Sequence, residues 1–179
     1  MKAIFVFLCA LLLGSGAHAQ VVRVSLQASG LTCSMCSKAV KNALEGVSFV
    51  EKVQVDIKNQ QYNLTFKEGQ TVDFDVLAKA VEDAGFSVAS LLVTAQLPAP
   101  ATLHKDEHVA VGGQTVHFLN GDGQSLSGTV SFHLVDKAFT SAKEHKKWSA
   151  RSSMACVKTG RMAPCCQKGS ETRIYHAII

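Results

Sequence analysis

The sequence predicts an α+β protein, with a β-α-β-β-α-β half followed by a smaller, mainly-β half. Three observations carry this expectation. Apolar and polar residues alternate in four short stretches between residues 21 and 93, as half-buried strands require. Two stretches of helical period fall between them. The order of the six elements builds a four-stranded antiparallel sheet with both helices on one face.

The first strand is expected over Val21–Ala28, where Val22, Val24 and Leu26 alternate with polar residues. A short amphipathic helix is expected from Cys36 to Leu44, with Ala39, Val40, Ala43 and Leu44 on its apolar side and Gly46 just past its end. Val50–Ile57 alternates again, Lys58-Asn59-Gln60-Gln61 makes a turn, and Tyr62, Leu64 and Phe66 face one way on the returning strand, which together read as a hairpin. Thr71 or Asp73 caps a second helix whose stripe is Phe74, Leu77, Ala80, Val81 and Ala84. Asp73 and Asp75 suit its positive N-terminal end, Gly85 stops it, and Phe86–Val93 is the last strand of this half.

Pro98 and Pro100 break any helix and stiffen the segment around them. The expected division is therefore an export signal over 1–19, a first domain over 20–95, a linker over 96–102 and a second domain over 103–179. In that last stretch Val109–Val111, Thr115–Leu119, Ser125–Val135 and Thr172–Ile179 look strand-like, and Asn120-Gly121-Asp122-Gly123 is a turn. Ser141 with Glu144 forms a capping box ahead of a helix reaching about Ala150. Strands around one helix point to a small barrel, of OB type, or a sandwich. Phe139 and Trp148 are expected in its core.

The export signal rests on Lys2, the uncharged apolar run Ala3–Leu13 and the small-x-small site Ala17-His18-Ala19. Cleavage after Ala19 would place the protein in the periplasm or outside the cell. The run is too short for a membrane span of about 20 residues, so no stable membrane insertion is expected afterwards. From Asp136 onward there are nine Lys or Arg against three Asp or Glu. That basic excess reads as a solvated face, and no nucleic-acid partner is expected of an exported protein.

Chemistry concentrates at Cys33 and Cys36, in Gly30-Leu31-Thr32-Cys33-Ser34-Met35-Cys36. The pair lies where a strand gives way to a helix, and the unpaired N–H groups of a helix start favour thiolate. Two thiolates without a neighbouring His or carboxylate select a soft ion such as Cu(I) over Mg, Ca or Mn. Structural zinc asks for four ligands, and this loop offers two. Hg(II) would accept the same sulfurs. With two protein ligands only, a partner's thiolate can enter before the first leaves, which implies a carrier or sensor and not an enzyme.

Residues 21–93 thereby resemble the heavy-metal-associated domain, the ferredoxin-like module of copper chaperones and of the N-terminal arms of metal-pumping ATPases. The likeness rests on the loop just quoted, set beside the family's Gly-Met-Thr-Cys-x-x-Cys, and on Gly85-Phe86 after the second helix. Leu31 stands where the family has Met, whose role there is apolar anchoring of the loop, a role open to Leu. The resemblance implies Cu(I), or alternatively Hg(II), held by Cys33 and Cys36, and a metal-donor or metal-acceptor protein as partner.

Two other readings of the pair stay open. A thiol–disulfide oxidoreductase also carries Cys-x-x-Cys at a helix start, but residues 21–97 contain no proline to face a disulfide. A structural disulfide would suit an oxidising compartment. Cys156, Cys165 and Cys166 form a second group of sulfurs, near Met154 and Met162. They can make a second metal site, or a disulfide from Cys156 to Cys165 or Cys166 worth about 2–3 kcal/mol. His104, His108, His117, His133, His145 and His176 show no local ligand spacing, and each reads singly as a surface or core residue.

Overall fold

In the computed structural model, which describes residues 19–162 and 172–179, the first half follows the expected order. Its elements are β1 (Gln20–Ser29), α1 (Ser34–Glu45), β2 (Val50–Asp56), β3 (Gln61–Phe66), α2 (Phe74–Asp83) and β4 (Ser87–Gln96). The expected export signal, apart from Ala19, lies outside the described residues.

Alternation decides which side of each strand is buried. Val24 and Leu26 of β1 and Leu91 and Val93 of β4 are wholly enclosed, and their register pairs them directly, Val24 with Val93 and Leu26 with Leu91. Val40 and Leu44 of α1 and Leu77 and Val81 of α2 close the same core from above. The strands run β2-β3-β1-β4, each antiparallel to its neighbour. Asp73 starts α2, its carboxylate accepting the amides of Asp75 and Val76 at 2.9 and 3.3 Å.

The sheet does not stop at the prolines. β9 (Thr129–Leu134) lies antiparallel on the open edge of β4, from Leu92 opposite His133 to Gln96 opposite Thr129. Beyond it come β10 (Ile174–Ile178), β7 (Gln114–Phe118) and β6 (His108–Val111), so eight strands form one sheet in the order β2-β3-β1-β4-β9-β10-β7-β6. β10 and β7 are parallel, and β5 (Ala101–Thr102) pairs separately with β8 (Ser125–Leu126). Gly128, at φ +63°, splits the single strand expected over Ser125–Val135 into β8 and β9.

The expected OB-type barrel is therefore corrected. The strands of the second half extend an open sheet instead of closing on themselves, because the backbone groups of the β4 edge take β9 as their partner. Leu97 and Leu103, at either end of the proline segment, are buried in the same core as β1. Two short helices follow, α3 (Ala142–Ser149), capped by the Ser141 hydroxyl on the Glu144 amide, and α4 (Ala155–Thr159), which the sequence analysis did not anticipate. Phe139 is fully enclosed as expected. Trp148 is not: it is half-buried on α3, its indole N–H on Glu144 and its ring flanked by Lys147 and Arg151.

The two faces of the added strands do different work. Tyr175 turns toward α2, stacking edge-on against Phe74 at 5.0 Å, and its hydroxyl donates to Asp73 and Asp75. Arg173 clasps Asp75 through two nitrogens, at 2.7 and 3.1 Å. Ile174, one step out of phase with Tyr175, faces the other way into a small second cluster with Cys156 and Val157.

Candidate metal centre

Cys33 and Cys36 come together at the mouth of α1. Gly30 adopts φ +82°, a left-handed conformation that a side chain would strain, and so turns the chain out of β1. Leu31 packs against the main core and pins the loop from beneath. Cys33 is then the N-cap of α1: its sulfur accepts the Cys36 amide at 3.3 Å, and its carbonyl accepts the Ser37 amide at 3.2 Å. A thiol in the place where Ser or Asp usually caps a helix is thereby held among N–H donors.

The two sulfurs stand 2.7 Å apart. Cys33 is exposed and Cys36 partly covered, so one ligand faces solvent while the other roots the pair in the helix. The Cys33 sulfur first, then hydrogen bonds from Thr32, hold the Cys36 thiol below its ordinary value, outweighing partial desolvation. Met35, between them, is 70% exposed and points to solvent. Below the loop, the Tyr62 hydroxyl meets the Ser37 hydroxyl at 2.9 Å and locks the first turn of α1 to β3. Among the described residues no further His, Cys, Asp or Glu joins the pair to make a group of three donors.

A family model of the heavy-metal-associated domain matches residues 25–87. The mercuric transport protein periplasmic component of Serratia marcescens is 35% identical over 86 residues, which are 48% of this chain and 93% of that protein. The chain belongs to the heavy-metal-associated domain family. A copper-transporting ATPase of Helicobacter pylori is 35% identical over 66 residues, 37% of this chain, but the chain spans only 9% of that relative's length. The crystal structure of oxidised MerP from Ralstonia metallidurans CH34 is 38% identical and covers 39% of this chain and 96% of that one, with a TM-score of 0.34.

The heavy-metal-associated match covers β1 to the start of β4, with the Cys33–Cys36 loop inside it. Cys156 lies outside it, in α4, and is fully enclosed. Cys165 and Cys166 fall outside the described residues. Its described neighbours include two imidazoles, His108 with Nε2 at 3.6 Å and His117 with Nδ1 at 3.7 Å. In the sequence these histidines read only singly, because they sit on separate strands and show no spacing along the chain. One signal was present: in Thr115-Val116-His117-Phe118-Leu119 and Ile174-Tyr175-His176-Ala177-Ile178, an imidazole occupies an inward position of an apolar strand.

Proposed function

We propose that this chain carries a soft metal ion between proteins, binding Cu(I) through Cys33 and Cys36 in an exported setting. The observation that carries the reading is the sulfur pair itself: two thiols 2.7 Å apart on an exposed loop, with Cys36 biased toward thiolate. Sulfur donors in low number prefer soft ions. A zinc–thiolate bond is about 2.3 Å long, so an ion of similar size spreads the two sulfurs as it seats. The exposed Cys33 is the side on which that spreading meets least resistance. It is also the side a partner's thiolate approaches, and a three-sulfur intermediate lets the ion change hands without passing free through water. The chain's role is that of a carrier, not a catalyst.

Hg(II) is the second reading, favoured by the mercuric transport relative, which this chain covers almost end to end. Export rests on the sequence of residues 1–19 and on that relative's periplasmic description.

The test is Cu(I) titration of the full chain against a competing chelator, with reductant present. The Cys33→Ser, Cys36→Ser variant is expected to lose one equivalent of tight Cu(I) relative to the parent. Unchanged stoichiometry would reject the site. Metal analysis of protein taken from cells grown with both ions then separates copper from mercury. Turnover of model disulfides by the metal-free chain would reassign the pair to redox chemistry.

A further inference from the structure

Three histidines form a row across the sheet. His108 on β6 is the register partner of His117 on β7, and His117 is the register partner of His176 on β10. Direct partners share a face, and this face is the one opposite Tyr175, Phe74 and α2. The rings of His108 and His117 lie 5.2 Å apart, and those of His117 and His176 lie 5.5 Å apart. The loop after α3 brings α4 over the row and sets the Cys156 sulfur on it.

The ligand atoms His108 Nε2, His117 Nδ1 and Cys156 Sγ all fall within 4.8 Å of one another. Each outer nitrogen that is buried meets a carboxylate. His117 turns its Nε2 toward Asp106 at 3.6 Å, and the Ser152 hydroxyl donates to that same carboxylate at 2.5 Å. His176 gives its Nδ1 to Asp136 at 2.7 Å, and Asp136 also accepts the His176 amide at 2.8 Å. A carboxylate has no proton to offer, so Nδ1 of His176 carries the hydrogen and Nε2 keeps its lone pair. That Nε2 is buried in a residue 2% exposed and has no hydrogen-bond partner among the described residues. An orphaned imidazole nitrogen beside a His–His–Cys cluster is the pattern of a ligand set, since a buried polar atom is costly to leave without a partner.

We infer a second metal site, formed by His108 Nε2, His117 Nδ1 and Cys156 Sγ with His176 flanking it, that takes one borderline ion of the zinc or copper type. Imidazole and thiolate together suit those ions and not Mg, Ca or Mn. Asp106 and Asp136 orient the imidazoles, as outer carboxylates do around histidine ligands. A cavity of about 360 Å³, lined by His117, Asp106, Asp122 and Arg151 among others, gives an ion a way in. This site differs from the all-sulfur second site weighed from the sequence, and it does not depend on the reading of Cys33 and Cys36.

The full chain with Cys33→Ser and Cys36→Ser isolates it. With reductant present, this variant is expected to bind one equivalent of Co(II), with the intense visible bands of a four-coordinate ion and a sulfur-to-cobalt charge-transfer band, and to release it to Zn(II). His108→Gln and His117→Gln, each added to that background, are expected to weaken binding at least tenfold. Cys156→Ser is expected to remove the charge-transfer band. Absence of Co(II) and Zn(II) uptake by the background variant, which alters neither the row nor α4, would overturn the inference. So would a charge-transfer band that survives Cys156→Ser, or an affinity indifferent to both histidine changes.

Discussion

Cys36 owes its lowered pKa first to the sulfur of Cys33. Its alkylation by iodoacetamide in the metal-free chain is therefore expected to reach half-maximal rate at a lower pH than that of an ordinary, unpaired thiol measured alongside it. Cys33→Ser removes the largest cause, and the Cys36 midpoint should rise; an unchanged midpoint would show that the pair does not interact as described. His117 is displaced the same way for another reason. Burial first, then the nearby His176 and His108, bring it from 6.5 to about 4, with Asp106 opposing. The unfolded chain thus binds the proton more readily than the folded one between those values. The stabilisation is complete above pH 6.5, declines as pH falls, and is lost once pH passes below about 4. A shift of that size corresponds to about 3 kcal/mol. In the metal-free chain, the loss of urea stability between pH 7 and pH 4.5 should be visibly smaller for His117→Gln than for the parent.

Among the elements, α2 is the best defined by sequence and the most heavily used. Asp73 was legible as a cap because its short carboxylate reaches back to the first amides of the helix. Its second task was not legible: the same oxygen accepts the Tyr175 hydroxyl from a strand 102 residues away. Asp73→Ala is expected to lower stability by about 1–2 kcal/mol, seen as a lower urea midpoint with an unchanged slope. A drop under a few tenths would mean that neither set of bonds matters. The strands of the first half could be read from alternation alone, since each buries one face. α4 could not, because five residues give too little periodicity, and its place is set by the cluster around Cys156.

For the whole molecule, the pairing of β4 with β9 replaces the two separate units that Pro98 and Pro100 suggested. Nothing local encodes that pairing: the prolines report only that the chain cannot continue as helix, and the partner strand begins more than thirty residues later. The barrel expectation failed for the same reason, and the cross-strand histidine row is not legible in the sequence because register between distant strands is not written in spacing. A continuous core predicts joint unfolding. Phe132 of β9 is 1% exposed and stacks on Phe118 at 5.3 Å. Phe132→Ala should cost about 3–5 kcal/mol and shift two probes together, Trp148 fluorescence from the second half and thiol accessibility at Cys36 from the first. Separate transitions would show that the halves stand independently.

Strand order also sets how far apart the two sulfur-bearing places are. From β1 to β7 the sheet takes four lateral steps, and at about 4.8 Å per step that is roughly 19 Å. No side chain bridges such a gap, so an ion seated at the loop end has no internal road to the imidazole row. If both proposed sites are real, each would load and unload through its own visitor, and one chain could hold two cargoes at once without either disturbing the other.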